Sequence, residues 1–378
     1  MCYIRKRGKG DTMRVSQFEP FIGEEEYVAI KECFDNKWIT EGPKSKQFAE
    51  KLCEMIGVKY GVFAPNGTLA LYLALRSMGI GPGDEVLVPN FTFIASANAV
   101  EMVGATPVFV DVKLNTLQID VESCKEHITA NTKAVMPVHI YGSAANMDEV
   151  MLFSRKHHLM VIEDAAQALG VKWSGKNCGT FGDVATFSFF ADKTLTTGEG
   201  GFVVTNRKDI YDELKYLRNQ GRIERGSFIH PQIGYNFRLN DVQSAIGLAQ
   251  LEKFEEIVER KNHIFTTYRE LLGDITGAYI MSPSPEVHPF IPFRVILMCD
   301  KESAPLMSFL ERAGIETRTL FYPLHRQPCF ESILPPRPDS ELKNSIKAYN
   351  FGLCLPSYPS LEREKIIYVC DKIKEFLG

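Results

Sequence analysis

Lys193 stands in a short polar loop between two apolar, β-rich runs. The order is VATFSFF (184–190), ADKTLTTGEGG (191–201) and FVVTN (202–206). The loop is too short for a crossover helix, so the flanking runs read as antiparallel strands. Gly198, Gly200 and Gly201 allow a tight turn and a close backbone approach. A lysine held between two buried strands is poorly hydrated, and its proton affinity falls. In that state it can form a Schiff base with a carbonyl. A solvated loop lysine is the plainer alternative.

Four further groups fall where strands end. Asn66-Gly67-Thr68 follows one strand and opens a helix, so its free N–H groups form an anion site. Asn90 to Phe93 follows the next strand and offers an aromatic face. Asp164 follows the apolar run LMVI, and Ser188 precedes Lys193 by five residues. In doubly wound sheets, ligands lie beyond the carboxyl ends of the strands. Each group has a plain explanation by itself: a helix cap for Asn66 or Asp164, core packing for Phe93. Together they point to pyridoxal 5′-phosphate. Lysine would hold its carbonyl carbon, the carboxylate would keep the pyridine nitrogen protonated, and the helix start with Ser188 would hold the phosphate.

The elements that must position these groups follow from periodicity. Strands are expected at 60–64, 85–88, 107–110, 134–138, 159–162, 184–189 and 202–205. Helices separate most of them, so the fold class is α/β: a mostly parallel seven-stranded sheet with helices on both faces, its last strand antiparallel. Amphipathic helices are expected at 23–36 and 44–56. A long helix starts near Asp241 and runs on through Leu251, Phe254 and Ile257. The expected organisation is an extended or disordered segment at 1–13, a large cofactor domain at 14–255 and a smaller α+β domain at 256–378. Met13 is a candidate for the natural start.

Composition narrows the class. Hydrophobic residues make up 45% and charged residues 24% of the 378, as in ordinary globular proteins. The net charge of -4 provides no global basic field, so neither nucleic acid nor an anionic membrane is an expected partner. No apolar run approaches the roughly 18 residues that span a bilayer. The nine cysteines are scattered with no CxxC pair, which argues for reduced thiols and a cytoplasmic location rather than disulfides or a metal site.

The chain resembles the DegT/StrS-type nucleotide-sugar aminotransferases, which have the fold type I pyridoxal phosphate architecture. The resemblance rests on WITEGP (38–43), APNGTLALYLAL (64–75), GDEVLVPNFTF (83–93), VIEDAAQALG (161–170), GTFGDVATFSFF (179–190), DKTLTTGEGG (192–201), GYNFRLND (234–241) and LPSYPSL (355–361). It runs from about residue 15 to the C-terminus. Within the family, FSFFADKTLTTGEGG, LRNQG and FYPLH look most like the perosamine synthase branch, which aminates C4 of a GDP-linked 4-keto-6-deoxy sugar for surface polysaccharide such as lipopolysaccharide O-antigen.

The resemblance implies roles. Lys193 would be the Schiff-base lysine and proton shuttle, with Asp164 on the pyridine nitrogen and Gln167 on the ring 3-hydroxyl. Phe93 would stack on the ring, and Gly67, Thr68 and Ser188 would hold the phosphate. Asn236 would reach the phosphate of the neighbouring subunit, making a homodimer with shared sites. Nothing in the strand order brings its loop to the Asn-Gly-Thr end within one chain. Trp38, Arg238 and His325 would meet the nucleotide sugar, and L-glutamate would be the amino donor. Three alternatives stay open: a UDP- or dTDP-linked sugar aminated at C4 or C3, a sugar dehydratase of the same fold, and a non-catalytic regulatory or binding protein. Lys193 argues against the dehydratase, whose relatives commonly carry histidine there.

Overall fold

The computed structural model describes residues 13–222 and 228–378. The expected N-terminal extension therefore lies, except for Met13, outside the described residues, as does the middle of the 222–230 loop. The main sheet has seven strands in the order β1-β9-β8-β5-β4-β2-β3. They are β1 (Tyr60–Ala64), β2 (Glu85–Pro89), β3 (Thr106–Val110), β4 (Thr132–Val135), β5 (Met160–Asp164), β8 (Val184–Ser188) and β9 (Gly201–Thr205). β9 runs antiparallel to both β1 and β8, and the other pairings are parallel. The continuous apolar runs have a simple cause. Successive strand residues point to opposite faces, and both faces are covered. Phe63, Leu87, Phe202 and Val204 feed one hydrophobic cluster, while Val62, Ala64, Val86, Val88 and Val203 feed the other.

A small hairpin, β6 (Lys172–Trp173) with β7 (Lys176–Asn177), precedes β8. Its two turn residues, Ser174 and Gly175, have φ of 47° and 80°, as a type I′ turn requires. The Ser-Gly pair is the sequence signal for it, and periodicity alone does not reveal it.

The expected long helix is two. Asp241–Glu252 and Phe254–Leu272 meet at Lys253, whose φ of -107° and ψ of 17° interrupt the helix. The first half packs on the helices Glu24–Asp35 and Pro43–Ile56. The second carries Ile264, Phe265, Tyr268 and Leu272 into a separate cluster beneath a second sheet. That sheet is antiparallel, ordered β10-β11-β13-β12, from β10 (Ala278–Ile280), β11 (Val295–Cys299), β12 (Arg318–Thr319) and β13 (Gly352–Leu355). Val15 bridges to Ile315 just before β12: its N–H donates to Gly314 O, and Glu316 N–H donates to Val15 O.

Two buried aspartates lock distant segments together. The helix Pro43–Ile56 starts at Gly42 and has no side-chain cap of its own. Asp241 caps it from afar, accepting from Gly42 N (2.8 Å), Lys44 N (3.1 Å), Ser45 N (2.9 Å) and Ser45 Oγ (2.7 Å). Asp111, just past β3, does the same for the helix Lys343–Phe351 through Asn344 N, Ser345 N and Ser345 Oγ. The eight cysteines among the described residues are free thiols. No helix among those residues is long and apolar enough to cross a membrane.

Candidate active site

The carboxyl ends of β1, β2, β5 and β8 open on one cavity of about 470 Å³. Gly67, Thr68, Phe93, Asp164, Gln167, Ser188 and Lys193 all line it. Asn66 is extended and caps the helix Gly67–Ser77, its side chain accepting from Leu69 N at 2.9 Å. The N–H groups of Gly67 and Thr68 are left without an intrahelical acceptor. The helix start is packed tightly from below. A β-carbon on Gly67 would lie 2.9 Å from Ser188 Cβ, and one on Gly201 would lie 2.3 Å from Asn66 O.

Asp164 is buried at the end of β5. Its carboxylate accepts from Ser96 Oγ (2.8 Å) and Ala166 N (3.1 Å). Burial pushes its pKa up, and those two donors and the Lys193 charge oppose the rise. The preceding Glu163 faces the opposite way and is wholly buried. It accepts from the N–H groups of Gly179, Phe181 and Gly182, each at 2.7 Å, and pairs with His139 Nε2 at 3.0 Å. His139 Nδ1 accepts from Ala145 N (3.1 Å), so the ring's proton sits on Nε2, facing Glu163. Of the two adjacent carboxylates, one braces the loop behind the sheet and one reaches the cavity. Gln167 accepts from Tyr141 N through Oε1 at 2.6 Å, which leaves its Nε2 as a donor.

Lys193 is mostly buried, its side chain 15% exposed, and its amine pKa is lowered. Burial is the main cause. The Arg294 charge adds to it, while Asp192 and Asp164 oppose it. Nζ lies 3.6 Å from Asp192 Oδ1 and 4.5 Å from the centroid of the Phe293 ring. Sequence reasoning did not assign much of this wall: Tyr141, Asp192, Phe293, Arg294, Arg318 and Phe321. Tyr141 and Phe321 stack at 5.3 Å, and Phe93 lies 6.1 Å from Phe321. An arginine opening the apolar run of β11 was the only hint of Arg294.

Four expected site residues are elsewhere. Trp38 is 44% exposed and packs over Gly42. Arg238 donates to Asn219 Oδ1 (2.5 Å) and lies 3.8 Å from Glu41. His325 is buried between Asn90 and Asp339, and it lines a second, larger cavity of about 660 Å³ against β3. That cavity is lined by none of Lys193, Asp164, Gly67 and Thr68, so its size does not make it the chemical centre. Asn236 does not line the 470 Å³ cavity either, and its backbone bridges to Asn219. Its loop reaches the side of the Gly67–Ser77 helix at Tyr72 within the same chain. Tyr235 and Tyr72 share a 2.5 Å hydroxyl contact, and Tyr235 stacks on Phe237. Leu239 is fully buried in the main core.

The donor set fits pyridoxal phosphate. An anion cradle, a buried carboxylate with no cation in hydrogen-bonding contact, an amide donor and a low-pKa amine share one aromatic-walled cavity. Asp164 is matched to a protonated ring nitrogen, and Gly67, Thr68 and Ser188 to a phosphate. When bound, the cofactor supplies an electron sink. The residues lining the cavity would hold it there.

The family model described as the DegT/DnrJ/EryC1/StrS aminotransferase family matches residues 20–374. The GDP-perosamine synthase of Escherichia coli O157:H7 is 40% identical over 95% of this chain and 97% of its own. That of Vibrio cholerae is 38% identical over 96% and 98%. Among solved structures, S. venezuelae DesV in complex with a ketimine intermediate superposes with a TM-score of 0.88, at 32% identity over 94% of each chain. The chain therefore belongs to the DegT/DnrJ/EryC1/StrS aminotransferase family, and it is a pyridoxal-phosphate-dependent sugar aminotransferase.

Proposed function

We propose that the enzyme transfers the amino group of L-glutamate to the C4 ketone of a GDP-linked 4-keto-6-deoxy sugar, as in GDP-perosamine synthesis. The single observation that carries this is near-full-length similarity to relatives named GDP-perosamine synthase, on a chain whose cavity assembles Lys193, Asp164 and Gln167. In this reading Lys193 moves protons to and from the donor and then the sugar carbon, and the low proton affinity of its amine supports that double use. Asp164 keeps the ring nitrogen charged, and Gln167 Nε2 donates to the ring oxygen. We place the reaction in the cytoplasm, in a homodimer whose sites are shared through Asn236. The absence of Asn236 from its own chain's cavity supports that sharing.

The test is a substrate panel. Purified enzyme is incubated with glutamate and GDP-, UDP- or dTDP-linked 4-keto-6-deoxy sugars, and the amino sugar nucleotide is read by mass. Amination of the GDP sugar is expected. Turnover confined to a UDP or dTDP sugar overturns the nucleotide assignment, and no amination of any of them overturns the substrate class.

A further inference from the structure

We propose that Asp192 is a positioning residue that sets the proton affinity of Lys193, acting from a rigid frame with Arg294. The proposal rests on the reading of Lys193 as the proton-carrying lysine. The Lys193 amine is crowded by cations. Arg294, just before β11, is 4% exposed, and its guanidinium carbon lies 4.5 Å from the centroid of the same Phe293 ring that Nζ faces. Lys261, on the helix Phe254–Leu272, is also 4% exposed and lies 5.9 Å from that ring, donating to Pro292 O at 3.4 Å. Arg318 on β12 lines the cavity too.

Against these stand few anions. Glu199 lines the cavity, Asp164 ends β5, and Asp192 shares the loop with the lysine. Asp164 is committed to the ring nitrogen in the proposed reaction, so Asp192 is the carboxylate left to serve Nζ. Its two oxygens are used differently. Oδ2 accepts from Arg294 at 2.6 Å. Oδ1 is buried, has no hydrogen-bond donor among the described residues, and lies 3.6 Å from Lys193 Nζ. That spacing is too long for a hydrogen bond but within ion-pair range. A buried acceptor without a donor is costly, and a proton on Nζ would satisfy it after a small side-chain rotation. Arg294 fixes the carboxylate's direction. Burial and the neighbouring cations lower the amine's proton affinity, and a shuttle must both take and give a proton. Asp192 restores that balance.

The frame predicts shifts of opposite sign. The readout is the near-ultraviolet and visible absorbance of holoenzyme titrated with pH, which follows protonation at the lysine nitrogen that holds the cofactor. Asp192→Asn keeps the shape and removes the anion, so the midpoint falls by roughly 1–3 units. Arg294→Met removes a cation and frees Asp192 to pair with Nζ alone, so the midpoint rises. A general packing defect would not move the two variants in opposite directions. If only one variant folds, its sign alone decides. Midpoints unchanged within about 0.3 units, or shifts in the same direction, overturn the role of Asp192. A Lys193→Ala control that titrates like wild type overturns instead the assignment of Lys193, and with it the proposal.

Discussion

Gly201→Ala tests whether the start of the helix Gly67–Ser77 is the anion cradle, because it moves that start without replacing any group that would contact the cofactor. Gly201 opens β9 and pairs with Ala64 on β1 and Ser188 on β8. A β-carbon there would lie 2.3 Å from Asn66 O, 2.6 Å from Asn66 C and 3.0 Å from Ala70 Cβ. Relief needs about 1 Å of displacement to restore van der Waals spacing. The sheet is buried on both faces, so the helix start is the part that yields. Asn66 O accepts from Ala70 N at 3.0 Å in the first helical turn, and the Asn66 side chain caps Leu69 N. Overpacking of this kind costs about 1–3 kcal/mol. For a chain of this length that lowers the apoprotein melting point by about 1–4 °C. If the strain falls on the cradle, about 2 kcal/mol of cofactor affinity is lost, a roughly 30-fold rise in Kd. The assay is a titration of apoprotein with pyridoxal phosphate, followed by absorbance. Excess cofactor should recover part of the lost melting temperature by mass action. A Kd within about twofold of wild type, alongside a melting point lowered as expected, would refute the placement of the phosphate at this helix start.

Further outcomes follow from the same geometry. Asp164→Asn keeps its shape but loses the charge matched to the ring nitrogen, so the glutamate half-reaction should slow by about 10–1,000-fold while cofactor still binds; normal half-reaction rates would contradict the role. Asp241→Ala leaves three backbone N–H groups and Ser45 Oγ without their acceptor, and urea unfolding should show a loss of about 3–5 kcal/mol; a loss below about 1 kcal/mol would mean the cap is dispensable. Burial pushes the Lys261 amine down to about 7, helped by the Arg294 and Lys193 charges and opposed by Asp192. The unfolded chain then holds more protons between about pH 7 and 10, so stability should rise with pH across that window and stay flat below it. Lys261→Met should remove the slope and stabilise the protein at neutral pH by roughly 1–4 kcal/mol, and an unchanged slope would count against the assignment. Mixing a Lys193→Ala chain with an Asn236→Ala chain after dissociation should restore part of the activity, since one site of each mixed dimer is intact; proven mixed dimers without activity would exclude sites shared through Asn236.

What the sequence by itself determined is the set of features carried by local pattern. The seven strands, the antiparallel β9 and the alternation of buried faces follow from apolar runs and short loops. Asn66-Gly67-Thr68, Asp164, Ser188 and Lys193 follow from where those runs end, because the carboxyl ends of neighbouring parallel strands must share one rim. The second sheet was mostly illegible. Periodicity showed β11 but not β10, β12 or β13, which have two to four residues and no room for a period. Nor did it show the break at Lys253, because the apolar stripe continues through it on both sides. Only the tertiary structure decided which wall faces the cofactor cavity. Phe293, Arg294, Arg318 and Phe321 come from the second sheet and its flanks, a hundred or more residues along the chain from Lys193, and no local pattern encodes that contact. The same holds for Asp192. In the sequence it is a polar neighbour of a lysine, and only the arrival of Arg294 at 2.6 Å turns one oxygen aside and leaves the other facing the amine.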